Sequence, residues 1–161
     1  MAGESTDRLS PEFALVEALR TVPVLQDAGG EAKVAAMMPK KDWKPPFAFY
    51  IPTEDSEDQD LSGGTGLQHF AAQLHFVGGT HRGMQQLCLR AKKALNEMPG
   101  TPYTAPLSWE GLPWGVVLIE NLTLLQISPD LYETGVSYYR RVYRVEIDYQ
   151  TEEVYEEVPS A

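Results

Sequence analysis

The chain has 161 residues, 43% hydrophobic and 22% charged, which suits one globular domain with a proper core. Its formal net charge of -10 argues against a nucleic-acid binder that works by neutralising phosphates, though not against a protein that DNA merely passes through. The single Cys88 excludes an internal disulfide and a cysteine-based zinc site, and no apolar run is long enough for a membrane-spanning helix.

Residues 1–9 are polar and read as a disordered arm; no basic-then-apolar leader opens the chain, so a reducing cytoplasm is the expected compartment. Ser10, Pro11 and Glu12 then form a helix start: a cap, a proline at the first position and an acid in the first turn. Phe13, Ala14, Val16, Ala18 and Leu19 supply its apolar stripe, and Pro23 ends it. Residues 33–38 predict a short strand, and residues 47–51 a second one bracketed by Pro45, Pro46 and Pro52. Residues 53–66 read as an acidic, glycine-rich loop. Residues 67–77 predict a third strand with Phe70, Ala72, Leu74 and Phe76 on one face, ended by Gly78 and Gly79.

Thr80 caps a second helix, whose Met84, Leu87, Cys88, Ala91, Leu95 and Met98 share one face; Arg90, Lys92 and Lys93 lie toward its C-terminal half, where positive charge suits the dipole. A proline-rich connector, residues 101–113, leads to two long β-patterned runs within residues 114–149. In the second run Tyr139, Arg141, Tyr143, Val145, Ile147 and Tyr149 alternate with Arg140, Val142, Arg144, Glu146 and Asp148. One face is mostly apolar and the other mostly charged. A hairpin this long exceeds what a small core needs, so it is expected to pair with neighbours or present its charged face to them. Residues 151–161 hold Glu152, Glu153, Glu156 and Glu157 and read as an acidic tail. The expectation is a single domain over residues 10–150, of α+β class. Its mainly antiparallel β-sheet carries two helices packed on it, in the order α-β-β-β-α-β-β.

No motif for catalysis stands up. Residues 58–63 open like an EF-hand loop, but the twelfth position is His69 where a bidentate glutamate is needed, and the flanks are strands. Residues 78–83 join strand to helix without the lysine and hydroxyl of a phosphate loop. His69 and His75 are roughly 20 Å apart along one strand and cannot share a metal. Cys88 falls on the apolar helix face and reads as a buried, inert thiol. The expectation is a non-enzyme with no catalytic residues, no cofactor and no metal.

The ordered local patterns resemble the tail terminator, or tail completion, proteins of long-tailed bacteriophages and related prophage elements. They are the first helix, residues 11–20; Pro46-Phe47-Ala48-Phe49-Tyr50; Ser62-Gly63-Gly64-Thr65-Gly66 leading into the third strand; the second helix; and Asp130-Leu131-Tyr132-Glu133-Thr134-Gly135 entering Tyr138-Tyr139-Arg140-Arg141. The resemblance runs over most of residues 11–149, while the proline-rich insert and the acidic ending depart from it. It implies a structural protein that caps the tail tube as a sixfold ring, stops its growth and offers a surface to the head connector. It implies partners accordingly: other copies of the chain, monomeric or not before assembly, the tail tube protein and the connector or stopper. DNA would pass through unbound, and no membrane is involved. A head-completion or stopper protein is the neighbouring reading; a small-ligand-binding domain and a protein-interaction module are readings of other classes. A ring needs two different patches that meet. The candidates are Tyr139, Arg140, Arg141, Tyr143, Arg144, Glu146 and Asp148 on the last strand, and Glu54, Asp55, Glu57, Asp58 and Asp60 in the acidic loop.

Overall fold

The structure, a computed structural model, describes residues 11–26, 29–57, 67–106 and 114–154. Helix α1 spans Glu12–Arg20, with Pro11 at its cap and Glu12 in the first turn. Ser10 lies outside the described residues. The buried side is Ala14, Leu15, Ala18 and Leu19, with Phe13 and Val16 half-buried beside them. The expected stripe is thus turned by about one residue, because Leu15 takes the inward position. A 3-10 turn at Pro23–Leu25 follows.

The strands are β1 Val34–Ala36, β2 Phe47–Glu57, β3 Leu67–Gly78, β4 Pro102–Pro106, β5 Trp114–Gln126, β6 Leu131–Glu133 and β7 Tyr138–Val154. They form one sheet in the order β1-β2-β3-β7-β5-β4, with β6 pairing β7 off this path. Among the described residues only the β1–β2 pair is parallel. Helix α2, His81–Asn96, packs on one face beside α1. The α+β class and the element order α-β-β-β-α-β-β stand, with β4 and β6 added as short strands.

Both additions follow from pairing that local sequence does not announce. Pro102 and Pro106 lie in an edge strand, β4, against Leu118 and Trp114; prolines are tolerated at an edge, where a missing N–H costs no ladder bond. The acidic segment read as loop from residue 53 is instead strand as far as Glu57, because β3 supplies partners down to Gln68. Pro52, just before it, is accommodated by a register shift between Pro52 and Glu54.

The last strand is central, not free. β7 pairs β3 from Tyr139 to Gln150 and β5 from Tyr143 to Val154. Its apolar face, Tyr143, Val145, Ile147 and Tyr149, joins Phe70, Leu74, Phe76, Ile119 and the buried sides of both helices in one core. The length of the hairpin is therefore used by the chain's own core, which corrects the expectation that it is spare for neighbours. Each such fully buried large side chain contributes about 1.5–3 kcal/mol.

Candidate assembly surfaces

Three surfaces draw on the residues singled out above. The first is the connection between β5 and β7. Leu125, near the end of β5, and Ile127, Leu131, Tyr132 and Val136, in the connection itself, each leave a third or more of their surface in water. Exposed apolar side chains this close together in the chain make the connection a candidate contact site. The connection is held in shape. Arg141 donates from Nε to Asp130 Oδ1 at 2.7 Å and from Nη2 to Oδ2 at 2.9 Å, a bidentate fork. His81 Nε2, at the start of α2, lies 2.9 Å from the same Oδ2. Arg140 Nη2 reaches Glu133 at 2.6 Å. Tyr139 packs between Tyr132, at 4.7 Å between ring centres, and His81, at 5.6 Å. Ser137 takes a positive φ of 58°, and its N–H bonds Glu133 O at 2.7 Å to close the turn.

The Arg141 fork, with a smaller contribution from His81, holds the Asp130 carboxyl down at about 2 despite a counteracting effect of burial. The Asp130 partner raises Arg141 further above its usual range. Neither Asp130 nor His81 was among the site residues expected from sequence. A signal for the first existed: Arg141 falls on the apolar face of β7, and a guanidinium placed inward requires a carboxylate partner.

The second surface is the sheet face away from the helices. Phe47, Phe49 and Val77 are buried there with Trp43, Ile51 and Tyr138 against them. His75 stacks on Phe49 at 4.4 Å between ring centres, inclined by 11°. Burial, then the nearby Arg140 charge, lowers its pKa to about 4. Along β7 the same face carries the expected charges, and each has a partner in the chain. Arg144 Nε meets Glu146 at 3.2 Å, His69 Nδ1 meets Asp148 at 2.8 Å, and His69 Nε2 meets Glu146 at 3.4 Å. Arg140, Arg144, Glu146 and Asp148 are thus brought together on one face. Tyr139 is half-buried near the connection, whereas Tyr143, 3% exposed, belongs to the core and offers no surface to a partner. Arg141 faces Asp130.

The third surface is the outer part of β2, where Glu54 pairs Ala71, Asp55 pairs Phe70 and Glu57 pairs Gln68. Their place on a strand beyond the reach of β1, next to Pro52 and a register shift, also matches the devices that stop edge strands from pairing indiscriminately. Asp58 and Asp60 lie outside the described residues. Among the described residues no cluster of His, Cys, Asp and Glu is placed to hold a metal.

No protein-family model matches the chain, and no curated protein matches it. Among solved structures it is similar to a chain from the virion of a native gene transfer agent particle. The identity is 14%, the TM-score 0.45, and the match covers 84% of this chain and 91% of that one. A second solved chain is 16% identical with a TM-score of 0.44, covering 98% of this chain and all of the other, 100%. At these values neither likeness carries a function across.

Proposed function

We propose that this chain is a structural virion protein, a tail terminator: it assembles as a ring on the end of a phage tail tube, ends tube growth and forms the surface that joins tail to head. The observation that carries the reading is the β5–β7 connection, an apolar group in water that is fixed by ion pairs and aromatic contacts instead of hanging loose. Apolar side chains carried on a connection already held in shape lose little conformational entropy on docking to another protein. The motifs that resemble the tail terminators and lie among the described residues fall in the observed element order and lend the same support, while residues 62–66 lie outside them. The net charge of -10, repeated around a ring, would repel passing DNA and leave it unbound. The partners on this reading are further copies of the chain, the tail tube protein and the head–tail connector, with assembly in the host cytoplasm and a final place in the virion.

The test is light scattering of the protein alone and mixed with purified tail tubes, followed by electron microscopy of the tubes. A ring on one tube end is expected. Tubes left bare, with binding to the head connector instead, would assign the protein to the head side as a stopper. A lasting monomer that binds neither would end the virion reading.

A further inference from the structure

Helix α2 runs against the charge of the chain. The protein is at -10, yet His81–Asn96 contains Arg82, Arg90, Lys92 and Lys93 and neither aspartate nor glutamate. Helical periodicity turns Met84, Leu87, Cys88, Ala91 and Leu95 to the sheet and leaves the bases outside. Leu89 sits among them with 70% of its surface in water, in a shallow depression lined also by Arg82, Gln85, Gln86 and Arg90. Lys92 lies over the Tyr143 ring at 5.9 Å. Arg82, Arg90 and Lys93 have no ion-pair partner among the described residues. The helix dipole accounts for Lys92 and Lys93 near the C-terminal end. It does not account for Arg82 in the first turn, where a cation is unfavourable, or for the exposed leucine.

The complementary chemistry lies at the end of the same chain. Glu152-Glu153-Val154-Tyr155-Glu156-Glu157-Val158 interleaves four carboxylates with apolar side chains. The topology keeps it from its own α2. Tyr139 pairs Gly78, two residues before the Thr80 cap, and the link after α2 returns to the sheet where Gly100 N–H bonds Ile119 O, opposite Tyr149. So α2 runs alongside β7 from Tyr139 toward Tyr149. Val154 lies fifteen residues beyond Tyr139 (154 less 139), roughly 50 Å along the strand. Leu89, midway along α2, is roughly 12 Å from the helix start. Residues 155–158 extend at most roughly 14 Å, far short of the gap.

We infer that residues 155–158 of one copy dock on the outer face of α2 of a second copy. Glu156 and Glu157 meet Arg90 and Lys93, and Tyr155 and Val158 cover Leu89. Two different patches meet, so the contact is head-to-tail, the kind that closes a ring. The choice of a second copy as partner rests on the ring reading above.

The first test titrates a fluorescent peptide of residues 151–161 into the full chain carrying Glu156→Lys and Glu157→Lys, so that the protein's own segment does not compete. Saturable binding is expected, weakened about tenfold by adding Arg90→Glu and Lys93→Glu, and weakened by salt. No saturable binding, or binding indifferent to the two reversals, overturns the docking site. The second test mixes the Arg90→Glu, Lys93→Glu chain with the Glu156→Lys, Glu157→Lys chain in a sedimentation run. A heterodimer is expected, since each supplies the half the other lacks. Two persistent monomers overturn the second copy as the occupant. Peptide binding with no ring on tail tubes would instead count against the terminator reading and leave the site standing.

Discussion

Asp130 and His75 each tie stability to pH on the acid side. Asp130 is held at about 2 in the fold against an ordinary value of 3.8. A carboxyl with a depressed folded pKa contributes stability above its unfolded value and loses it as pH falls from about 4 toward 2. Asp130 is partly in water, so the contribution is reduced to about 1–2 kcal/mol. Asp130→Asn is therefore expected to lower the urea midpoint at pH 7 and to match the parent near pH 2; an equal deficit at both would mean that shape, not charge, matters. His75 works over a different range. Its folded pKa of about 4 lies below the ordinary 6.5, so the unfolded chain takes up a proton first, and stability falls as pH drops from 6.5 toward 4. Its Nδ1 has no hydrogen-bond partner, and its ring already stacks on Phe49. His75→Phe keeps the stack and removes the proton. It should leave the protein about 2 kcal/mol more stable than the parent near pH 4.5 by chemical denaturation, with a smaller difference at pH 7.5.

At the level of elements, the joint between β3 and α2 is the tightest test of packing. A Cβ on Gly78 would lie 2.6 Å from the Met84 backbone nitrogen and 2.7 Å from its Cα. Backbone cannot swing aside, so Gly78→Ala should cost about 2–3 kcal/mol in thermal unfolding. Gly135→Ala, with nothing within 4 Å of the added carbon, should be neutral or slightly stabilising; equal losses at both sites would show that the β3–α2 joint yields. These elements also show what sequence could say. The face of α2 with Met84, Leu87, Cys88, Ala91 and Leu95 was legible because a 3.6-residue period is local. So was the split of β7 into a core face and a charged face. The extension of β2 to Glu57 was not, because acids and a proline argue for a loop until β3 provides partners far along the chain. The centrality of β7 was hidden for the same reason: two flanking strands are facts of topology. Of the expected surface residues, Arg140, Arg144, Glu146 and Asp148 do share one face, while Tyr143 went to the core because its alternation matches Val145 and Ile147. The Asp130–Arg141–His81 group was missed because it joins a turn, a strand and a helix start that only the fold brings together.

Over the whole molecule, the two ends of the sheet differ in chemistry. The end with Glu57, Leu67 and Val154 carries Glu54, Asp55 and Glu57 of β2 and Glu152 and Glu153 of β7, and the end with Gly78 and Tyr139 carries the apolar connection and Arg82 at the start of α2. On the tail-terminator reading proposed above, one end would meet a protein surface while the acidic end would face solvent or the passage for DNA. On the same reading the apolar connection is the part that touches the tube. Ile127 and Val136, 44% and 51% exposed, contribute little to the core, so Ile127→Asp with Val136→Asp should shift stability by no more than about 0.5 kcal/mol. Buried in a contact, two carboxylates without partners are strongly unfavourable. The double variant should therefore keep the parent's thermal midpoint and leave tail tubes uncapped in electron micrographs. Asp130→Asn, which loosens the connection without adding charge to its apolar surface, should cap tubes more weakly but still detectably. Normal capping by the double variant would remove the connection as the tube contact and move the search to the Phe47, Phe49 and Arg144 face of the sheet.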